Sequence, residues 1–528
     1  MATSDSQSDT TDNLTRLEKA QIPEDLKEET GVDIVPTSDL EASAGSRTSD
    51  DEVPDPFLVD WDGPKDPNSP MNWSNTKKAR QLIAMGFNSF LSPDANLEAE
   101  IRPLSSSMFA PGEADVLAEF NSSNTMLGSF VVSIFLLGYS VGPLLIAPLA
   151  EIYGRLPAYH ICNSLFLVFM IACAVSQTLP QLLVFRFLAG VAGSCPVALG
   201  SGTAVDLIRK EKRAGVMAIW ALGPIMGPVV GPLAGSFVCA NIGWRWVFWI
   251  LTIAAGVMLV TTFLCYRETY APVLLERKAL ALRKETGNEQ YRSKFDRNLP
   301  RKQVFYMACV RPLKLLFLSP IVLCMTVFGG ISYGYLYLMF TTITAIFEEV
   351  YHWPSEMTGL AYLGFGVGCV SGLIVTGQVA NKVAVKHSAQ GRFLPESRLG
   401  PIVVSCWLLP IGLFWYGWSA EKHIHWIMPL IGTAIFGCGL MSLFLCINTY
   451  LVESYIQFAA SVTAANAVMR SLLGAFLPLA GPSMYETLGL GWGNSLLAFI
   501  ALAFCFVAVL LKMYGGKIRT HPRFQLDL

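Results

Sequence analysis

The residues most suited to doing work in this chain form one run, Gly223-Pro224-Ile225-Met226-Gly227-Pro228-Val229-Val230-Gly231-Pro232-Leu233-Ala234-Gly235. Glycine returns every fourth position, so on a helix all four glycines, through Gly235, share a face. A neighbouring helix can approach that face closely. The prolines at 224, 228 and 232 remove backbone donors and soften the helix. On physical grounds alone, plain helix packing is an equal reading.

Charges inside apolar runs are the second signal. Arg186 lies in such a run, where an unpaired charge costs several kcal/mol, so it is expected to face a cavity or a partner. The alternative is a structural arginine near the outer interface, bonding helix-end carbonyls. Arg470 is placed near a cytoplasmic end, snorkelling outward. Tyr333, Tyr335 and Tyr337 with Asn448 could line an aromatic, hydrogen-bonding cavity, or simply face lipid or core. Asp206 and Glu453 close two apolar runs and are expected to pair with loop cations or to be solvated helix-end carboxylates. Gly364-Phe365-Gly366-Val367-Gly368 sits inside an apolar helix with no strand before it, so it reads as close packing and not a nucleotide loop. No Walker-type loop, metal cluster or catalytic triad is visible. Neither enzyme activity nor any cofactor, metal or nucleic-acid partner is expected.

The elements that position these residues are membrane spans. The chain of 528 residues is 52% hydrophobic and 15% charged, against roughly 25% charged in soluble proteins. Apolar stretches long enough to cross a bilayer recur near 79–91 with 103–111, then 125–149, 157–177, 182–206, 215–238 and 246–266. A polar gap at 267–314 follows. The second set lies near 315–342, 357–379, 400–418, 426–452, 459–482 and 491–512. This divides the chain into a tail 1–76, a half 77–266, a central loop 267–314, a half 315–512 and a tail 513–528. The first tail is rich in Ser, Thr, Asp and Glu and is expected to be disordered, its tryptophan-bearing end at 61–74 forming a short interfacial segment. The central loop is expected to be unstructured. The twelve cysteines lie almost wholly in apolar runs and suggest no disulfide framework.

Cations set the orientation. Lys77, Lys78, Arg80, Arg155, Arg209, Lys210, Lys382, Arg398 and the dense basic run of the central loop all fall on one side. By the positive-inside rule both termini and that loop are cytoplasmic. The sequon Asn121-Ser122-Ser123 then lies outside, where glycosylation at Asn121 is possible. Asn13-Leu14-Thr15 and Asn72-Trp73-Ser74 lie inside. The two halves also echo each other weakly, the mark of transporters that rock one half against the other.

With these residues in view, the Gly223–Gly235 run resembles the fifth-helix signature of proton antiporters in the major facilitator superfamily. Gly142 through Ala147-Pro148-Leu149-Ala150-Glu151-Ile152-Tyr153-Gly154-Arg155 is similar to that family's second-to-third helix loop motif, and Arg186-Phe187-Leu188-Ala189-Gly190-Val191-Ala192-Gly193 to its fourth-helix motif. Asp66-Pro67, Asn72-Trp73-Ser74, Trp244-Arg245-Trp246-Val247-Phe248 and Glu268-Thr269-Tyr270-Ala271-Pro272 resemble the fungal twelve-spanner drug:proton antiporters, which include polyamine and toxin exporters. The resemblance implies an all-α membrane fold of two pseudo-symmetric six-helix bundles, with a monomer in the cell membrane as the expected state. It implies proton-coupled export of lipophilic or cationic molecules by alternating access, with Arg186 in proton coupling. Gly142, Glu151, Gly154, Arg155, Asp206 and Glu453 would latch the cytoplasmic ends. A proton-driven nutrient importer and a non-transporting sensor are the alternatives.

The chain departs from that pattern in its first span. Ser92-Pro93-Asp94-Ala95-Asn96-Leu97-Glu98-Ala99-Glu100-Ile101-Arg102 writes four charges into it, each costing about 2.5–3.5 kcal/mol at mid-depth. Either the segment is a retained intron piece, or it is a real break offering Asp94 or Glu98 as proton carriers. The messenger RNA decides between them.

Overall fold

The computed structural model describes residues 57–63, 66–74, 77–78, 104–207, 227, 229–295, 300–389, 395–455 and 458–520. The tail before residue 57, the 92–102 interruption, Gly223, Pro224 and Pro228 lie outside the described residues.

Almost all of what is described is helix. Leu104–Ser107 end the first span, followed by a 3-10 turn at Ala110–Gly112 and a short helix Glu113–Glu119. Span 2 (Thr125–Tyr153) starts where the Asn124 side chain accepts from Leu127 N at 3.3 Å, a standard N-cap. It stops at Gly154, whose φ of 104° suits glycine, and span 3 (Arg155–Ala174) begins at once. Span 4 runs as Leu179–Gly193 and Cys195–Leu207, and the described part of span 5 is Val229–Ile242. Span 6 (Trp244–Cys265) exposes Ile253, Val257, Val260 and Leu264 at three- and four-residue steps while burying Val247, Leu251, Ala255 and Met258. A greasy outer stripe of this kind suits lipid, not water.

Spans 7 (Pro320–Glu349), 8 (Thr358–Ala380, within a helix continuing to Ala389), 9 (Ile402–Ser405 and Leu408–Glu421) and 10 (Ile427–Ser454) follow. The last apolar helical stretch, Ala459–Arg519, is 61 residues long and holds two spans. Span 11 passes through a 3-10 turn at Leu477–Ala480, where Pro478 lacks an N–H, and reaches the turn at Gly489 (φ 74°, ψ 173°). Span 12 then starts with Leu490 N donating to Glu421 Oε2 at 2.9 Å. The expected eleventh span therefore ends some six residues too early, because Gly481-Pro482 reads as a stop in sequence but is crossed by helix here.

The 267–314 segment is structured. It contains helix Ala271–Thr286 and the start of helix Arg301–Leu318. Strand β1 (Leu58–Val59) pairs in parallel with β2 (Arg292–Ser293). Lys278 pairs with Asp62 and Lys294 with Asp60, each at 2.6 Å. Trp73 packs against a buried cluster that includes Ile146, Tyr159, Leu199 and Tyr266. The two tryptophans thus belong to a strap folded onto the central segment, where the sequence suggested a free interfacial piece.

Within the first half, spans 2 and 4 touch backbone to backbone. A Cβ at Gly138 would overlap Phe187 O, and one at Gly190 would overlap Phe135 O. Between the halves, span 2 packs against span 11, and span 8 meets span 5 where a Cβ at Gly359 would lie 2.8 Å from Leu233 Cα.

Candidate functional site

Three layers carry the candidate residues: a seal on the expected outer side, a central group and a ring of ion pairs on the expected cytoplasmic side.

The outer seal is the described end of span 5. A Cβ at Gly231 would strike Ser107 Oγ and stand 3.1 Å from Met108 N, and one at Gly235 would overlap Met108 O. Ser107 Oγ donates to Gly227 O at 3.3 Å. On the other side Val229 fills the space above Gly366 of span 8. Pro232 is buried, and its carbonyl accepts from Ser236 Oγ at 2.8 Å. The glycines thus let span 5 press on the end of span 1 while span 8 presses on span 5.

Beside this seal lie acids. One carboxyl oxygen of Glu113, Oε1, accepts from Ser129 Oγ at 3.2 Å. The other, Oε2, is shut off from solvent and has no hydrogen-bond partner among the described residues. Burial pushes this carboxyl up to about 8. Asp115 is raised too, by burial first and then by the charge of Glu348. Glu119 accepts from Trp244 Nε1 at 2.7 Å and pairs with Arg245. Asn121, exposed and with φ 50°, occupies the following turn.

Arg186 is fully buried. Its Nη2 donates to Val132 O at 3.2 Å, a carbonyl well inside span 2. Its guanidinium lies over Phe109 at 4.8 Å, Phe248 at 5.6 Å and Phe135 at 5.7 Å, faces that attract a cation. Nε and Nη1 have no partner among the described residues. The arginine is held by aromatic rings, not by helix-end carbonyls.

The central group joins spans 7, 10 and 11. Tyr333 and Tyr337 have ring centroids 5.1 Å apart, and Tyr333 and Phe444 5.8 Å. Tyr337 and Ser106 share a hydroxyl–hydroxyl bond of 2.7 Å, which links the second half to the end of span 1. Asn466 Nδ2 donates to Asn448 Oδ1 at 2.8 Å. Arg470 stacks over Tyr333 at 5.0 Å and Phe444 at 5.7 Å. Arg470 therefore points inward, correcting the snorkelling expectation. Tyr335 is buried away from this group, and its hydroxyl has no partner among the described residues.

On the expected cytoplasmic side Arg155 Nε stands 3.5 Å from Asp206 Oδ2, and the guanidinium covers the Tyr270 ring at 4.8 Å. Glu268 accepts from Arg155 N at 3.0 Å and Leu156 N at 3.1 Å, so it caps span 3. Gly154 lies against the same carboxylate, with no room for a Cβ. The second half repeats the theme. Arg398 Nη2 meets Glu453 Oε1 at 2.7 Å and Nε bonds the same carboxylate, a forked pair. Arg519 pairs with Glu396 at 3.2 Å. Gly142 does not join this ring; it faces Ser194 of span 4, where a Cβ would collide. Glu151 makes no hydrogen bond or ion pair among the described residues.

Sequence reasoning missed Glu113, Glu268 and Asn466. Glu268 had been noted as part of a motif without a role. The other two give no signal in a single sequence, since an acid after a Pro-Gly turn and an asparagine in a helix are both ordinary.

The family model described as Major Facilitator Superfamily matches residues 101–478. The MFS-type transporter penM of Penicillium rubens is 50% identical over 478 residues, 90% of this chain and 92% of that protein. The MFS-type transporter atr4 of Stereocaulon alpinum is 47% identical, covering 93% and 89%. The efflux pump radE of Floropilus chiversii is 42% identical, covering 90% and 88%. In fold the chain is similar to the xylose transporter XylE from E. coli in a partially occluded inward-open conformation, with a TM-score of 0.60 at 13% identity over 83% of this chain and 98% of that one. A helical, lipid-stripped architecture, paired halves and a family match across most of the length lead to one conclusion: the chain belongs to the Major Facilitator Superfamily and is a multi-pass membrane transporter, not an enzyme.

Proposed function

We propose that this transporter exports small lipophilic organic molecules in exchange for protons, by alternating access. The observation that carries the reading is the outer seal: Gly231 and Gly235 hold span 5 on the end of span 1, and span 8 closes on span 5. Such contacts can part and re-form as rigid halves rock. The name of one similar protein, an efflux pump, supports the outward direction.

Arg186 does not release its proton in proteins, so it serves coupling through its charge. Glu113 is the group that changes protonation. It sits on the expected outer side, is cut off from water at one oxygen and holds a proton at neutral pH. The Arg155–Asp206 and Arg398–Glu453 pairs act as latches that break when the inner side opens or closes. The charge pattern supports cytoplasmic termini, and the cell membrane is the proposed site of action. Both halves lie in one chain, so a monomer suffices.

The test uses yeast cells deprived of their own exporters and loaded with rhodamine 6G or with fluorescein diacetate, which esterases convert to fluorescein. Expressing the chain should speed efflux of at least one dye, and a protonophore should abolish the gain. Efflux unchanged by expression, or a gain that survives the protonophore, would contradict the reading.

A further inference from the structure

Three spans each present a pair of residues four apart to the central group: Tyr333 and Tyr337, Phe444 and Asn448, Asn466 and Arg470. Residues four apart share a helix face. All three faces therefore look at one place. Its position is set by span 11. Arg470 lies about 16 Å along the helix from Ala459, near the middle of a roughly 30 Å hydrocarbon core. Tyr333 lies on the boundary between the halves, because a Cβ at Gly474 would touch both the Tyr333 ring at 2.8 Å and Leu136 of span 2 at 3.0 Å. Tyr333, Phe444, Asn448 and Arg470 are all only half-buried. At mid-depth and between the halves, that exposure belongs to an internal space.

The charge of that space is unbalanced. Arg470 Nε is closed off from solvent without a hydrogen-bond partner, and Arg470 makes no ion pair among the described residues. Two aromatic faces support the guanidinium without neutralising it. The acids of the described spans, such as Glu151, Glu348, Glu421, Glu453 and Glu486, stand near span ends. The other mid-span cation, Arg186, adds to the same sign. A guanidinium offers a planar fork of donors that matches a carboxylate. The Tyr333 and Phe444 rings beside it offer faces for a conjugated frame.

We propose that Tyr333, Phe444 and Arg470 form an anion subsite, and that the exported substrates are organic acids whose carboxylate or acidic enol docks on Arg470 while a conjugated ring stacks on the aromatic pair. This rests on the export reading and replaces cations with anions as the substrate class. A substrate cation would meet the field of two arginines at mid-depth. A substrate anion supplies the missing counter-charge for the guanidinium. The Asn448–Asn466 amide pair, on the same faces, adds neutral hydrogen-bonding capacity for the remaining polar groups.

The test uses the purified full-length protein in detergent and fluorescein as the anionic probe, followed by fluorescence anisotropy. Saturable fluorescein binding is expected, displaced about tenfold or more better by 2-naphthoate than by 2-naphthamide, since the two differ in one charged hydrogen-bonding group. Arg470→Gln should weaken fluorescein binding by a similar factor, and Arg470→Lys by less. Tyr333→Ala should weaken it while leaving the preference for naphthoate over naphthamide. The wild-type competition stands even if an arginine variant fails to fold. Absence of saturable fluorescein binding, equal displacement by 2-naphthylmethylamine, or a folded Arg470→Gln protein that binds fluorescein as tightly as wild type would overturn the proposal. Protonophore-sensitive rhodamine 6G export without fluorescein binding would overturn the anion subsite and leave proton-coupled export intact. Fluorescein binding with protonophore-insensitive efflux would do the reverse.

Discussion

At the residue scale, two arginines within spans, one buried and one half-buried, are kept by rings and not by acids. Arg186 rests on Phe109, Phe135 and Phe248, and Arg470 on Tyr333 and Phe444. Removing a ring is therefore as consequential as removing a charge. Glu113 gives the sharpest residue-level prediction. Burial moves its carboxyl from 4.5 to about 8. Between those values the folded protein keeps a proton that the unfolded chain has lost, so stability falls as pH rises through the window, by up to about 1.4 kcal/mol per pH unit. Nearby Asp115 is also raised, so the informative quantity is a difference. The thermal midpoint of wild type should fall between pH 5 and 8, and that of Glu113→Gln should fall much less. Parallel pH curves for the two proteins would remove Glu113 from the account. Of these residues, Arg186 was legible in sequence because a charge stands out in an apolar run. Arg470 was equally visible, but its inward direction is set by aromatic partners on other spans, which leave no local trace.

At the element scale, the spacing of glycines in span 5 was legible and its partner was not. Helical period places Gly227, Gly231 and Gly235 on one face; only the fold brings Ser107 and Met108 onto it. Gly231→Leu and Gly235→Leu should abolish export while the protein still inserts, because the new side chain must displace Met108 backbone at 235 and the Ser107 hydroxyl with Met108 N behind it at 231. Dye efflux alongside surface immunodetection checks this, and normal efflux from either variant would refute it. The ion pairs make a second element-level prediction. The forked Arg398–Glu453 contact should show a coupling of about 1 kcal/mol in a double-mutant cycle of unfolding, at the upper end for partly exposed pairs. A coupling of zero would deny the latch any energetic weight. The central segment shows where sequence misled. Its polarity read as loop, yet helix Ala271–Thr286 and the β1–β2 pair give it shape through contacts with the strap at 57–74. Those contacts join positions more than two hundred residues apart, which no local pattern reports. All but the last two residues of the 92–102 interruption precede the family match, which begins at 101.

At the scale of the whole molecule, the multi-span helical fold could be read because the bilayer imposes apolar length on each span, and the basic loops give an expected orientation. Apolar length and basic loops are chain-wide constraints. The site could not be read as fully, because it is assembled from spans 1, 7, 10 and 11 and each contributes one ordinary-looking face. The assembled molecule has a seal on the expected outer side, aromatic-bound cations in the middle and forked ion pairs on the expected inner side. That layout is what an exporter exchanging substrate for protons needs. The most direct measurement places the purified protein in liposomes holding a pH-sensitive dye and adds fluorescein outside. With coupled exchange, entry of fluorescein through the protein should drive protons out and raise the luminal pH, and Gly235→Leu should abolish the signal. Acidification of the lumen in step with fluorescein entry, or fluorescein entry with no proton movement, would contradict exchange.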